Sequence, residues 1–319
     1  MLIYVTRRLL LAIPTLFLVI LIVFTAVRVV PTDIADLLVS GGSTSSTGQS
    51  DAVKAAIRKE LHLDQPIPVQ LGYYTVNLLK GDIGRSAYDQ KPVAKKIYDA
   101  LPVTVEVALL SITLSTVLAI AIGVMSALRQ DTFYDYGIRL LTIFAFAAPV
   151  FWVGTLAIVL PARWGYFPPL FFVPFLSDPI SNLQQFIVPA TVLAMNLMGS
   201  VSRMVRSSML EVLRQDYIRT AYAKGLQTRV VITRHALRNG FIPVLTFLAL
   251  QLSNLLGGSV IIESIFALPG VGTLTVSAIA TKDYTVIQGC VLFFGCIVVV
   301  MNLLVDLSYG FIDPRLRRR

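Results

Sequence analysis

The chain has 319 residues, 55% of them hydrophobic and only 14% charged, with a formal net charge of +9. Soluble domains carry about a quarter charged residues, so the solvent for much of this chain is lipid, and an ordinary water-soluble fold is excluded. Nucleic-acid binding is excluded too, because the aromatic residues lie in long apolar runs and not among the bases; the charge fits the excess of Lys and Arg retained on the cytoplasmic side of membranes.

A hydrocarbon core about 30 Å thick takes about 20 apolar helical residues to cross, and six stretches qualify. The first runs roughly 9–30, behind Arg7 and Arg8. It is too long for a signal-peptide core and ends in Arg28 and Pro31 without a small-x-small cleavage site, so it reads as an uncleaved helix. Residues 31–100 follow. There Gly41 to Gly48 reads as a linker, and Ser50 can cap a helix in which Val53, Ile57 and Leu61 share a face. Val69 to Leu79 is a second helix. Gly81-Asp82-Ile83-Gly84 punctuates it with a turn, and Pro92 fits the first turn of a third short helix. This segment reads as a helical insertion on the outer surface.

The remaining spans are predicted over roughly 102–128, 138–160, 186–201, 241–262 and 286–307. Arg7 and Arg8, the closing Arg315, Arg317, Arg318 and Arg319, and the basic residues Arg206, Arg214, Arg219, Lys224, Arg229, Arg234 and Arg238 all mark cytoplasmic segments. An even number of spans puts both termini on that side. The expected fold is thus an all-α membrane protein of six transmembrane helices, divided as 1–30, an extracytoplasmic insertion 31–100, and a core 101–319 with a cytoplasmic loop 202–242.

Several chemistries are missing. No G-x-x-x-x-G-K-[ST], G-x-S-x-G or H-E-x-x-H motif occurs. His62 and His235 lie in different loops, Cys290 and Cys296 share one apolar run, and no metal-ligand spacing appears. Glu106 and Asp306 lie near span ends, so the midplane charges that ion-coupled carriers need are not visible. If the chain moves a solute uphill, the energy enters through another subunit. Asn196 and Ser200 lie one turn apart on the fourth span, Gln251 and Asn254 one turn apart on the fifth. Polar groups in lipid need partners, so all four face the bundle interior, either lining a solute path or bonding helix to helix. Glu263 and Pro269-Gly270 lie at the outer end of the fifth span, as an outer gate, a partner contact, or simply a turn.

The loop between the fourth and fifth spans is the most informative region. Two helix-forming runs flank Gly225, which permits a left-handed turn, and Thr228 can cap the second run. Composition alone leaves three readings open: an interfacial helix, ordinary cytoplasmic positive charge, and a docking element.

The residue order resembles one family. Asp216-Tyr-Ile-Arg-Thr-Ala-Tyr-Ala-Lys-Gly225, then His235-Ala-Leu-Arg-Asn239 and Ile242-Pro243, is similar to the coupling loop of bacterial ABC importer permeases, dipeptide/oligopeptide branch. The family's general loop begins Glu-Ala-Ala, with glycine four residues past the last alanine; here Arg219, Thr220 and Ala221 stand there, with Gly225 in place. Its Leu-Pro step is Leu237-Arg238 here, and proline comes at Pro243. Both departures resemble the peptide branch. So do Leu61-His-Leu-Asp-Gln-Pro66, Lys80-Gly-Asp-Ile-Gly-Arg-Ser86, Glu263-Ser-Ile-Phe-Ala-Leu-Pro-Gly-Val-Gly272 and Asp313-Pro314-Arg315.

The resemblance implies a non-catalytic permease subunit in the bacterial cytoplasmic membrane. Its coupling helix, around Tyr217 to Thr228, would dock on a cytoplasmic ATPase, with Asp216, Tyr217, Arg219, Thr220, Ala221, Ala223, Lys224, Gly225 and Thr228 at the contact. Ala221 and Ala223 would permit close approach, and Arg219, Lys224 and Arg229 would meet acids on the partner. It also implies a second permease subunit, two ATPase subunits holding ATP and Mg, and an extracytoplasmic solute-binding protein; this chain itself would hold no cofactor. Nickel, glutathione or oligosaccharide cargo, and an unaided secondary carrier, are the alternatives to short peptides.

Overall fold

The computed structural model describes residues 2–29, 64–165 and 172–312. The expected linker Gly41 to Gly48, the Ser50 cap with Val53, Ile57 and Leu61, and the closing Asp313-Pro314-Arg315 lie outside the described residues. The described chain is helical apart from turns and one antiparallel bridge between Arg85 and Pro92. In chain order the helices are α1 (Leu2–Val29), α2 (Ile67–Leu79), α3 (Val93–Leu128), α4 (Phe133–Ala147), α5 (Val150–Ala162), α6 (Pro179–Leu213), α7 (Asp216–Ala223), α8 (Leu237–Ile265), α9 (Val271–Ala280) and α10 (Tyr284–Ile312). Four of the helices are long and apolar enough to cross a membrane, or five if α4 and α5 form one broken span.

The chain divides into two compact units, Met1–Thr104 with Pro269–Arg319, and Val105–Leu268. In the first, α1 packs along α10. Gly295 makes the close approach possible, since a Cβ there would lie 2.6 Å from Val19, as small residues do between membrane helices. Arg8 pairs with Asp306 at 2.7 Å. The core gathers Val93, Ile97 and Ala100 of α3 with Val271 and Ala278 of α9 and Val286 and Cys290 of α10. Asp283 is buried just ahead of α10. It accepts from the Val286 N–H at the start of that helix, and from the Ser86 hydroxyl and the Ala87 N–H. The Gly81 to Gly84 turn forms as expected, with positive φ at both glycines.

Two expectations here need correction. The second span starts earlier than residue 102: Val93, Ile97 and Ala100, spaced as one helical face, are all buried and continue the helix backward. The third short helix after Pro92 therefore does not exist on its own. Pro92 sits one residue before the helix, and its carbonyl accepts from Lys95 and Lys96. The short apolar helix α9 was not foreseen.

In the second unit α6 is the central element: 67% of its most apolar window is buried, against 17% for that of α10 in the first unit. It extends well beyond the expected 186–201. Asp178 caps it, accepting from Ile180 N at 3.1 Å and Ser181 N at 3.2 Å, with Pro179 at the first helical position. The expected third span is not one straight helix. It breaks at Ala148-Pro149, where α4 and α5 meet at 96°. Proline has no N–H and pushes the residue before it out of the helical region, and Ala148 has φ −65°, ψ 126°.

Candidate functional site

The site is built on the segment joining α6 to α8. Gln215, extended at φ −75° and ψ 148°, starts α7. At the other end Gly225 takes φ +77°. Its N–H donates to Tyr222 O at 2.9 Å, and Leu226 N donates to Ala221 O at 3.3 Å. These two bonds are those of a Schellman motif, which closes a helix by a left-handed residue at C′ and satisfies otherwise orphaned carbonyls. A Cβ on Gly225 would have open space around it, so the backbone conformation, not crowding, is what calls for glycine.

One face of α7 is anchored and the other is presented. Ile218 and Ala221 are buried. Tyr217 is half-exposed, and its hydroxyl accepts from the Asn239 amide at 3.0 Å, pinning α7 to the start of α8. Arg219, Thr220, Tyr222, Ala223, Lys224 and Thr228 face solvent. Arg219 lies 3.5 Å from Asp216, but the two side chains are 78% and 95% exposed. Such a pair is worth little, so its charge stays available to another partner.

The second run differs from expectation. Thr228 is not a cap: Gln227 occupies the cap position and no side chain accepts there. Nor is the run a separate surface helix. Thr228–Val230 leads into a π-helical segment, Val231–Ala236, which continues directly into α8. Leu237 N donates to Ile232 O, five residues back. The wide turn buries Val231 and Ala236, and this apolar pair holds the segment inward. Wide turns of this kind often mark functional positions in helices.

Near the end of α6 lies an ion pair that sequence reasoning did not find. Asp135 of α4 is fully buried. Arg206 of α6 grips it with both arms of the guanidinium, Nη2 to Oδ2 at 2.8 Å and Nε to Oδ1 at 3.0 Å. Nε also donates to Ser126 Oγ of α3 at 3.1 Å, and that hydroxyl donates to Asp135. Asp131 N donates to Oδ2 at 3.1 Å, and Arg139 approaches the same oxygen at 3.2 Å. Arg206 counted only as cytoplasmic charge in the sequence. The available signal was local: Thr132 three residues before Asp135 marks a helix start, and Arg139 follows at i+4.

The polar residues of the spans are placed as follows. The Asn196 amide donates to Phe146 O at 2.9 Å. Ser200 bonds within its own helix, to Leu197 O at 3.1 Å. Gln251 is part-buried on α8, and the side chain of Asn254 lies outside the described residues. Glu263 is fully buried near the end of α8, Gly270 is buried, and Pro269 is exposed. Among the described residues no group of three or more metal-ligating side chains converges.

Comparison with known proteins matches residues 119–318 to the family described as "Binding-protein-dependent transport system inner membrane component" and residues 1–108 to its N-terminal companion. A protein of Brucella abortus, provisionally named a peptide transport system permease protein, is 41% identical over 314 residues, covering 98% of each chain. The dipeptide transport system permease protein DppB of Escherichia coli K12 is 34% identical over 343 residues, covering both chains fully. The di/tripeptide transport system permease protein DppB of Pseudomonas aeruginosa is 33% identical over 340 residues, also over both chains in full. Among solved structures, an amino acid ABC transporter crystallised with histidines superposes with a TM-score of 0.51 at 14% identity, over 69% of this chain and 94% of that one. That likeness is one of fold.

Proposed function

The chain belongs to the binding-protein-dependent transport system inner membrane component family, and from that premise we propose that it forms half of the translocation pathway of an ATP-driven importer of short peptides. It is a non-catalytic membrane subunit. Its full-length relatives of 33–41% identity are named for peptide, dipeptide or di/tripeptide transport, which supports this cargo over nickel, glutathione or sugars.

In this proposal α1, α3, the broken pair α4–α5, α6, α8 and α10 are the six spans, both termini are cytoplasmic, and residues 31–100 are an extracytoplasmic insertion ahead of the core 101–319. A second permease completes the pathway, a binding protein delivers the peptide outside, and two ATPase subunits hold ATP and Mg. Ser200, Gln251 and Asn254 face the path, Asn196 borders it while its amide bonds Phe146 O, and Glu263, Pro269 and Gly270 shape its outer end.

The observation that carries the reading is α7. An eight-residue helix, closed by Gly225 and anchored by Ile218, Ala221 and the Tyr217–Asn239 bond, presents Arg219, Tyr222 and Lys224 outward. A short rigid body with one face free suits docking into a groove on a partner that moves. A photo-crosslinking residue placed at Tyr222 in the assembled transporter tests this. The adduct should form with the ATPase subunit, and a crosslinker at the exposed Phe133 should give far less of it. Equal capture at both sites, or none at Tyr222, contradicts the assignment.

A further inference from the structure

Helix α6 meets its neighbours in two different ways. Toward α3 and α4 it makes one close approach each, and both rest on glycine. A Cβ on Gly123 would lie 2.7 Å from Ser202 O, and one on Gly199 would lie 2.6 Å from Thr142 O. Close packing of this sort sets the distance between two helices, and midway along α6 one directional bond joins it to α4, from the Asn196 amide to Phe146 O at 2.9 Å. The contacts in the last third of α6 are directional. Arg206 holds Asp135 with a bidentate fork and also reaches Ser126. Ser208 donates to Gly240 O of α8 at 2.7 Å. Beyond the end of α6, Tyr217 of α7 is bonded to Asn239 of α8.

A buried ion pair is poor evidence for stability, because desolvation offsets its attraction, and an apolar pair of similar volume is often as stable. What a bidentate guanidinium–carboxylate contact does supply is geometric specificity. Here it lies close along α6 to the helix expected to receive the ATPase's motion. With Ser126 it ties three helices to one another, α3, α4 and α6.

We propose that Asp135 and Arg206 are positioning residues that lock the Ser126 end of α3, the start of α4 and the end of α6 in one register, so that displacement of α7 reaches all three helices together. This rests on the ATP-driven permease reading. Without the pin, α7 would still dock and the ATPase would still turn over, but the ends of α3, α4 and α6 nearest α7 would no longer be tied to one another, and the stroke would reach them unequally.

The test uses the complete transporter, with its binding protein, in proteoliposomes, and a labelled tripeptide as probe. The double variant Asp135→Asn/Arg206→Met removes both charges of the pin together, and Arg139, which loses its 3.2 Å contact with Asp135, keeps Asp131 at 3.9 Å. ATP hydrolysis should stay within about twofold of the unaltered complex, while peptide taken up per ATP falls about tenfold, within the usual range of coupling between sites. Arg206→Lys keeps the charge but loses the fork and should give an intermediate ratio. An unchanged ratio in the double variant overturns the proposal.

A second measurement does not depend on the variant folding. Spin labels at Phe133 and Arg214, in a Cys290→Ala/Cys296→Ala background, report the distance between α4 and the end of α6. It should hold within about 2 Å between nucleotide-free and ATP-bound states; a change of about 5 Å, one helical turn, would mean the helices move separately and overturns the pin. Absence of ATP-dependent uptake by the unaltered complex sinks the permease reading itself, whereas normal uptake with an unchanged variant ratio overturns the pin alone.

Discussion

The side-chain amide of Asn196 in α6 donates to the backbone carbonyl oxygen of Phe146 in α4 at 2.9 Å. In an unbroken helix that carbonyl would accept from residue 150, but α4 stops at Ala147 and the chain turns at Ala148-Pro149. The carbonyl belongs to the set that every helix end leaves without an internal partner. In a low-dielectric setting such a group must be satisfied by the protein. Asn196 supplies the donor, so a residue singled out for polarity in a lipid span has a definite task in holding the break.

Replacing Asn196 with Leu removes the donor and should destabilise the subunit by about 1 kcal/mol. The thermal-unfolding midpoint of the detergent-solubilised transporter measures it. An unchanged midpoint would show that the Asn196 bond does not hold the break.

At Gly225 the series Asn, Ala, Pro should separate conformational cost from crowding. Nothing lies within 4 Å of a Cβ there. Ala should therefore cost about 1 kcal/mol for the left-handed backbone and Asn less. Pro cannot adopt φ +77° and removes the N–H that bonds Tyr222 O, so α7 loses its closure. Uptake per ATP hydrolysed should fall in that order, most for Gly225→Pro, in a paired uptake and ATPase assay.

The same motif ends α8 with the wrong residue for it. Ala267 takes φ +52°, its N–H donating to Ser264 O and Leu268 N donating to Glu263 O at 2.9 Å. Ala267→Gly should raise the unfolding midpoint, relieving about 1 kcal/mol of backbone strain. A lowered midpoint would show that the methyl group contributes packing that outweighs the strain.

Much of this was legible in the sequence, where the signal is local. The Gly81 to Gly84 turn and the bend at Gly225 depend on neighbouring residues, and both stand where the sequence placed them; the apolar runs mark helices but not their limits. Hydropathy runs unbroken through Ala148-Pro149, so the composition that marks a span hides the break inside it. The π-helical turn before α8 is fixed by burial of Val231 and Ala236, a tertiary requirement. Asp135 and Arg206 lie 71 positions apart, and no spacing rule links residues on different helices.

At the start of α6 the Asp178 carboxylate should give a pH signature. The Ser181 hydroxyl and N–H, with the Ile180 N–H, hold its pKa below the ordinary carboxylate range. A depressed folded value contributes stability above the unfolded value, and loses it as pH falls through the folded one. Asp178→Ala should therefore lower the unfolding midpoint at neutral pH, and its difference from the unaltered protein should shrink as the solution is acidified below the ordinary carboxylate range. A difference independent of pH would assign the effect to something other than the charged cap.

The central claim is that this subunit does no work by itself and is driven through α7 by a separate ATPase. The most direct measurement compares labelled dipeptide accumulation in liposomes containing the purified chain alone with accumulation in liposomes containing the assembled transporter and its binding protein. The account predicts no accumulation by the chain alone, with or without ATP, and accumulation by the assembly only when ATP is present. Uphill accumulation by the chain alone, without nucleotide, would contradict it.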